Sequence, residues 1–260
     1  MKQHGANGRG EVSDDWDPNN FLDVSTPAGW RRYYQDHLLD REAALLDSQG
    51  CFRHDPGQKL RVLSVGCGGA PRRGIPRGNF FVAGVDSSPE AIVAAQKSGT
   101  VDEVHLASAT KLPFADESFD VVFFRLVLHH LIDQLPLRGV IAEARRVLRP
   151  GGRLIALEPN LYHPVGLLLF AANHLGWSKR IKGTSDDWPL SPRALRRELD
   201  AQGFRVRLLG VEFSWRRLPI GVQRMLGALE LFGAVPGVRY ACHTFMLIGT
   251  RDDRARERTL

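Results

Sequence analysis

The sequence predicts an α/β protein built on a doubly wound, mostly parallel sheet with helices on both faces. Short apolar, β-branched runs alternate along the chain with segments of helical periodicity, which is the pattern of βαβ units. The 260 residues are 43% hydrophobic and 25% charged, which are globular proportions. They exclude a disordered tail protein, a collagen-like fibre and a disulfide-built miniprotein.

The first predicted elements are a helix and two strands. Apolar residues recur at helical spacing from Ala28 to Leu46. The run LRVLSVG predicts a buried strand that ends in glycines, and FFVAGVD predicts a second one. The helix in SPEAIVAAQKSG is expected to have Ser87 or Ser88 as its N-cap and Gly99 as its terminator.

The rest of the chain continues the alternation less regularly. FDVVFFRLVL predicts a third strand, and a helix from Arg138 to Leu148 is expected to stop at Pro150. GRLIALEP predicts a fourth strand, after which an apolar insertion begins. A capped helix in SPRALRRELDAQGF, a strand in RVRLLGVEF, an apolar helix from Ile220 to Phe232 and an antiparallel edge strand in CHTFMLIGTR complete the expected fold.

The chain is expected to form one domain. Residues 1–20 are predicted to be a disordered N-terminal segment and residues 21–260 a single domain. Within it we expect a core at 58–160, a substrate lid at about 161–192, and C-terminal helices and strands at 193–251. No apolar signal segment or membrane span is predicted, and three scattered cysteines fit a reducing compartment, so a cytoplasmic location is expected.

The basic charge of the chain does not by itself indicate a nucleic-acid partner. The net charge is +6, but acidic residues concentrate in the first fifty positions and arginines between 193 and 217. No basic stripe is interleaved with aromatic residues, as single-stranded nucleic acid would require. A monomer or homodimer that acts on a small molecule is therefore expected.

Glycines after the first strand and an acid after the second indicate a nucleoside-binding site. The segment 66–69 reads Gly-Cys-Gly-Gly, and Asp86 lies twenty positions after Gly66. Such glycines allow close approach of a ligand to the backbone, and the acid can accept hydrogen bonds from both ribose hydroxyls. A tight turn beside a solvated Asp86 remains the alternative. A dinucleotide is disfavoured, because prolines and glycines between 71 and 78 replace its phosphate-binding helix.

Five segments in order resemble the class I S-adenosylmethionine-dependent methyltransferases. They are VLSVGCGGA, VAGVDSSPEAI, KLPFADESFDVVFF, LVLHHL and ARRVLRPGGRLIALEPN, and they cover about Leu60 to Asn160. The chain is most similar to the small-molecule branch, which includes ubiquinone and menaquinone biosynthesis enzymes. The resemblance implies a Rossmann-like fold and S-adenosyl-L-methionine as cofactor. It also implies O-, N- or C-methylation of a small, hydrophobic or natural-product acceptor.

The resemblance also implies roles for individual residues near the cofactor. Gly66 and Gly68 would flank its methionine part, and Asp86 would hold the ribose diol. Ala109 would present backbone to the adenine edge, while Arg125 would face the methionine end. The full implied cofactor-binding set is Val65, Gly66, Cys67, Gly68, Asp86, Ser87, Ser108, Ala109 and Arg125.

Three positions depart from the family pattern. Ser108 stands where the family usually has an Asp that accepts a hydrogen bond from the adenine amino group. Ala70 replaces the usual last glycine of the loop. The stretch from Pro71 to Gly78 replaces the regular first helix, so the pocket is expected to be looser there or completed by the N-terminal helix.

The candidate catalytic residues are His129 and His130, which follow the third strand on the loop that would border the methyl group. Either residue could act as a general base or only position the reactants. Cys67 is expected to be a packing residue rather than a nucleophile. No metal site is expected.

The acceptor pocket is expected in three apolar segments outside the shared core, at 30–46, 161–188 and 213–232. The same residues could instead pack an enlarged lid. Lys179, Arg180 and Lys182 beside this lid leave a peripheral membrane contact open. The candidate substrate-binding residues are Tyr33, Tyr34, His130, Glu158, Tyr162 and Trp188.

Two alternative functions follow from the same residues. The basic residues between 179 and 217 could hold an acidic macromolecule, which would make the chain an RNA or protein methyltransferase. Ser108 and the interrupted first helix could instead mark a cofactor-binding scaffold that has lost turnover.

Overall fold

A seven-stranded sheet forms the centre of the computed structural model, which describes residues 28–54, 57–76, 78–132, 135–177, 188–213 and 220–252. The strands are β1 (Leu60–Val65), β2 (Phe80–Asp86), β3 (Glu103–Leu106), β4 (Phe119–Arg125), β5 (Leu148–Pro159), β6 (Phe204–Glu212) and β7 (Thr244–Arg251). The helices are α1 (Ala28–Ser48), α2 (Pro89–Ser98), α3 (Leu128–Leu131), α4 (Leu137–Val147), α5 (Pro164–His174), α6 (Pro192–Ala201) and α7 (Ile220–Gly227).

The strand order creates a crevice at one edge of the sheet. The strands lie in the order β3-β2-β1-β4-β5-β7-β6, and β1 to β5 pair in parallel. The direction of winding reverses between β1 and β4, and ligands of doubly wound sheets bind at the carboxyl ends of the strands at such a point. The predicted doubly wound, mostly parallel sheet with helices on both faces is confirmed.

Apolar side chains cover both faces of the sheet because the parallel strands are buried on both sides. Phe124 packs into a cluster with Ile141 of α4 and Leu195 of α6. Its neighbour Phe123 points to the opposite face, where it belongs to a cluster that includes Leu46 of α1. Each such buried side chain stabilises the fold by about 1.5–3 kcal/mol. We call these two sides the α4 face and the α1 face.

Local signals at the helix termini cap α2 and α6 as expected. The Ser88 hydroxyl accepts a hydrogen bond from the Ala91 amide at 3.2 Å, so Ser88 rather than Ser87 is the N-cap of α2. Gly99 ends α2 in the left-handed conformation. The Ser191 hydroxyl caps α6 by accepting from the Ala194 amide at 3.2 Å.

Several predictions about the elements were wrong or incomplete. β7 is antiparallel, as predicted, but it lies between β5 and β6 rather than at the edge. Its first six residues are all buried, which is typical of a central strand. The four-residue elements β3 and α3 were not predicted. The apolar helix expected at 220–232 is α7 followed by a 3-10 turn at Ala228–Phe232.

The link between β1 and β2 consists of turns, with no helix among its described residues 66–76 and 78–79. This agrees with the prolines and glycines found there. Among the helices that the structure describes, none combines the length and the apolar character needed to cross a membrane.

Asn160 joins three segments just beyond the carboxyl end of β5. Its side chain is buried, and Nδ2 donates to the carbonyl oxygens of Tyr240 at 2.8 Å and Cys242 at 2.7 Å. Its Oδ1 accepts a hydrogen bond from the Tyr162 amide at 2.9 Å. The side chain thus holds the start of the segment that leads to α5 against the segment that leads to β7.

We expect Asn160→Ala to lower the free energy of unfolding by about 2–4 kcal/mol, because three backbone groups lose their partner. Urea unfolding at constant pH measures this difference. Asn79→Ala, at an exposed position, is the control and should stay within about 0.5 kcal/mol of wild type. Equal stability of the two variants would show that Asn160 does not hold these segments together.

Candidate active site

The Asp86 carboxylate lies at the carboxyl end of β2, directly beside the glycine loop that follows β1. Its Oδ2 accepts a hydrogen bond from the Gly68 amide at 2.9 Å, and its Oδ1 accepts from the Ser88 amide at 3.0 Å. Each oxygen of an ionised carboxylate can accept a second hydrogen bond. The carboxylate is therefore fixed in orientation and still able to bind a pair of neighbouring hydroxyls.

The glycine loop approaches the segment after β4 too closely for side chains. Gly66 and Gly68 have φ angles of 64° and 52°, in the left-handed region that favours glycine. A Cβ on Gly66 would lie 2.5 Å from Cγ1 of Val127. Any other residue at this position would push the loop away from the start of α3. Glycine therefore allows the loop after β1 and the segment after β4 to lie in contact.

A buried ion pair joins the carboxyl end of β4 to α1. Arg125, the last residue of β4, donates from Nε to Oε2 of Glu42 at 2.8 Å and from Nη2 to Oε1 at 3.0 Å. Both side chains are largely buried, and Glu42 belongs to α1. Gly74 packs against the pair, since a Cβ there would lie about 3.0 Å from both side chains. Arg125 was expected to face the cofactor, and in the structure its guanidinium binds Glu42 of α1.

The residues expected around the adenine differ in exposure. Ser87 and Ser108 are exposed, while Ala109 is buried in the core of the α4 face. The Ser108 hydroxyl lies 2.9 Å from the Thr110 hydroxyl and accepts a hydrogen bond from the Thr110 amide at 3.3 Å. This hydroxyl is engaged in a local turn, so it is a weaker partner for an adenine amino group than the usual Asp.

Cys67 has the environment of a packing residue. Its side chain is buried, and a Cβ on Gly84 of β2 would lie 2.9 Å from its Sγ. Burial, and next the nearby charge of Asp86, raise the pKa of the Cys67 thiol to about 12. The thiolate is the nucleophilic form, so Cys67 is unreactive at neutral pH.

Glu158 and His129 form a buried pair at the start of α3. Glu158 is completely buried, and its carboxylate lies 2.7 Å from Nδ1 of His129. It also accepts hydrogen bonds from the amides of Val127 at 3.1 Å and Leu128 at 2.9 Å. The chain reaches this arrangement through Leu126, whose φ of 57° is unusual for a bulky residue. Glu158 therefore orients both the short helix and the His129 ring.

His130 and Trp188 lie between this pair and α5. The ring of His130 lies against that of His129, with centroids 4.0 Å apart, and is half-buried. The Trp188 amide donates to the His129 carbonyl at 3.2 Å. The Trp188 ring contacts Phe170 and His174 of α5 edge to face, at 6.0 Å and 5.6 Å. The structure thus brings four predicted residues together, namely His129, His130, Glu158 and Trp188.

The remaining predicted acceptor residues lie elsewhere or cannot be placed. Tyr162 is exposed, and its hydroxyl is 2.7 Å from that of Ser191 at the start of α6. Tyr33 and Tyr34 belong to α1, but their side chains lie outside the described residues. Lys179, Arg180 and Lys182 are also outside them, so the peripheral membrane contact stays a prediction.

Sequence reasoning missed the residues that join α1 to the carboxyl ends of β4 and β6. Glu42 and its neighbour Arg41 read as polar positions of an ordinary surface helix. Their burial depends on partners more than eighty positions away, since Glu42 binds Arg125, and Arg41 pairs with Glu230 at 3.1 Å. Within the part of the chain that the structure describes, no group of three His, Cys, Asp or Glu side chains is arranged to hold a metal ion.

The comparisons with known proteins agree with this geometry. Residues 63–156 match a protein-family model described as a methyltransferase domain. A SAM-dependent methyltransferase from Thermotoga maritima superposes with a TM-score of 0.59 at 21% identity, covering 85% of this chain and 96% of that one. Residues 63–156 therefore form a methyltransferase domain. A second such structure, from Archaeoglobus fulgidus, has a TM-score of 0.51 at 19% identity and covers 80% and 92%. Similarity at this level of identity shows the fold.

Curated relatives of the methyltransferase domain carry small-molecule names. The ubiquinone biosynthesis O-methyltransferase of Agrobacterium fabrum is 32% identical over 59% of this chain and 62% of its own length. The 27-O-demethylrifamycin SV methyltransferase of Amycolatopsis mediterranei is 40% identical over 36% of each chain. The demethylmenaquinone methyltransferase of Tropheryma whipplei is 34% identical over 37% of this chain and 41% of its own. The chain thus spans between 36% and 62% of these relatives.

We expect breaking the Glu42–Arg125 pair to destabilise the methyltransferase domain by about 3–5 kcal/mol, because Glu42→Leu leaves the buried Arg125 charge without its carboxylate. The double variant with Arg125→Leu should recover part of this loss. Urea unfolding of the three variants measures the coupling. Breaking the exposed pair Arg196–Asp200 should cost less than about 1 kcal/mol. Strict additivity of the two leucine substitutions would contradict the pairing.

We also expect the Cys67 thiol to resist alkylation in the native protein. At pH 8 a thiol with a pKa of about 12 has roughly a thousandfold smaller thiolate fraction than an unperturbed thiol with a pKa of 9.0. Labelling with iodoacetamide, followed by peptide mass spectrometry, measures the rate. The same peptide labelled in urea is the control. Rapid native labelling would show that the glycine loop opens readily.

Proposed function

We propose that this chain transfers a methyl group from S-adenosylmethionine to a small, largely apolar organic acceptor. The observation that carries the proposal is the Asp86 carboxylate, oriented by two backbone amides beside the glycine loop at the point where the sheet reverses its winding. The names of the relatives support a small-molecule acceptor.

The residues present fit the cofactor at its ribose and backbone contacts. Asp86 would accept hydrogen bonds from the ribose hydroxyls, and the side-chain-free surface at Gly66 and Gly68 would lie against the methionine part. Ser108 leaves the adenine with a weaker side-chain contact. When bound, the cofactor supplies a methyl group already activated on a sulfonium, so the protein has mainly to align the acceptor and exclude water.

We assign different roles to the two adjacent histidines. His129 is buried and held by Glu158, so it acts as a positioning residue for α3 and for the neighbouring ring. His130 is half-buried and stacks on His129, which leaves it as the histidine that can contact an acceptor. A base is required only where the acceptor must lose a proton, as a hydroxyl or carbon acceptor does.

A cluster of three aromatic side chains supports an apolar acceptor that carries an oxygen atom. Phe170, His174 and Trp188 are in mutual ring contact beside the carbonyl of His129. In the described part of the chain, the buried Trp188 Nε1 has no hydrogen-bond partner. A buried indole N–H normally has an acceptor, and a carbonyl or hydroxyl oxygen of the substrate would supply one.

We expect S-adenosylhomocysteine to bind the wild-type protein, and Asp86→Ala to weaken binding by about a hundredfold, since two hydrogen bonds to a charged group are lost. Calorimetric titration measures both affinities. Asp120→Ala is the matched control, because Asp120 lies on β4 and binds the Arg61 amide and Arg149, away from the site. Thermal melts show that each variant is folded.

The same experiment separates the competing functions. A folded wild-type protein that does not bind S-adenosylhomocysteine would overturn the proposal. Binding without transfer of labelled methyl to any extract fraction would favour a scaffold that has lost turnover. Labelling of RNA or protein fractions that is lost with added salt would favour a macromolecular acceptor.

A further inference from the structure

A second polar cluster lies at the same sheet edge as the candidate active site, at the carboxyl end of β6. Glu212, the last residue of β6, is 5% exposed and pairs in register with Thr244 of β7. Thr244 pairs in turn with Pro159, the residue after Glu158 on β5. Neighbouring strands are about 4.8 Å apart, so Glu212 lies roughly 14 Å along the edge from β4.

The Glu212 carboxylate is only partly satisfied. Its Oε2 accepts a hydrogen bond from the Thr244 hydroxyl at 3.3 Å and lies 3.5 Å from Nδ1 of His243. Its Oε1 is buried and has no hydrogen-bond partner among the described residues. An ionised oxygen buried without a donor is costly, and such groups in native proteins commonly serve a function. Glu158 differs, since its two oxygens meet backbone amides and an imidazole.

A bulge in β6 brings Glu212 into this position. The register with β7 shifts between Gly210 and Glu212, so Val211 is the extra residue. The carbonyl of Val211 accepts a hydrogen bond from Nε of Arg41 at 2.7 Å. Arg41 precedes Glu42, which binds Arg125 at the end of β4. Adjacent residues of α1 therefore contact the bulge of β6 and the end of β4.

His243 borders the carboxylate, and His163 lies against His243. The rings of His163 and His243 are in edge contact, with centroids 5.1 Å apart, and both side chains are half-buried. Burial, and next the neighbouring His243, lower the pKa of His163 to about 4, so its ring is neutral at pH 7. Arg41, which binds the Val211 carbonyl, is paired with Glu230 rather than with Glu212. The cluster thus offers a buried carboxylate oxygen, Oε1, that no described residue meets with a hydrogen bond.

We propose that Glu212 accepts a hydrogen bond from a hydroxyl or ammonium group of the methyl acceptor, at the end of the acceptor remote from the transferred methyl. The inference rests on the proposed function, because it takes the reacting end of the acceptor to lie at His130. The donor group would reach Oε1 beside His243, whose ring lies against that of His163.

Stability measurements test whether Glu212 has a structural role. Glu212→Gln should melt at or above the wild-type temperature, because a neutral amide costs less to bury than a half-paired carboxylate. Glu158→Gln is the matched control and should lower the melting temperature by several degrees, because its amide group must face backbone N–H donors. A loss in Glu212→Gln as large as that in Glu158→Gln would overturn the proposal.

Binding to the S-adenosylhomocysteine complex tests the ligand class. The probes are 2-phenylethylamine, 2-phenylethanol and ethylbenzene, which carry an ammonium, a hydroxyl or no donor on the same ring scaffold. Wild type should bind at least one donor probe about tenfold more tightly than ethylbenzene, and Glu212→Gln should reduce this preference, most for the ammonium. Absence of any preference in wild type would overturn the proposal.

The two proposals fail in different ways. Loss of S-adenosylhomocysteine binding in the wild type would reject the cofactor site, while the melting comparison would still report on Glu212. Normal S-adenosylhomocysteine binding with no difference among the three probes would reject the Glu212 subsite and leave the methyltransferase proposal standing.

Discussion

The buried ion pair between Glu42 and Arg125 is the interaction on which the shape of the site depends. The described part of the link between β1 and β2 forms turns and no helix. Helix α1 is held to the end of β4 by a bidentate carboxylate–guanidinium contact, which fixes it more narrowly than apolar packing alone. Gly74 of the link rests against the pair, so the link, α1 and β4 meet at one contact.

Three carboxylates at the carboxyl edge of the sheet differ in their hydrogen-bond partners, and this difference suits them to different roles. Asp86 is oriented by two amides and keeps lone pairs for a ligand. Glu158 is saturated by amides and the His129 ring, which suits a structural group. Glu212 is buried like Glu158 but lacks a donor for one oxygen in the described residues. Counting hydrogen-bond partners, rather than burial alone, separates the two acids proposed to bind ligands from the structural one.

Much of the fold could be predicted from the sequence, because its signals are local. Ser88 and Gly99 bound α2 through contacts within one turn, and the loop at Gly66 needs a residue that tolerates positive φ. The position of β7 could not be predicted the same way, since strand order follows from pairing between distant segments. Glu42 was missed for a related reason. Its partner is 83 positions away, and nothing in the local pattern distinguishes it from a solvated acid.

The division between local and distant signals also explains why the acceptor is harder to infer than the cofactor. The family match covers residues 63–156, which contain the glycine loop, Asp86 and Arg125. Glu42, His163 and Glu212 all lie outside it, on α1, before α5 and on β6. A match over residues 63–156 therefore carries no information about these three side chains. Specificity for the proposed acceptor has to be derived from packing at the carboxyl edge, where a β-bulge brings Glu212 into place and Arg41 of α1 binds the bulge.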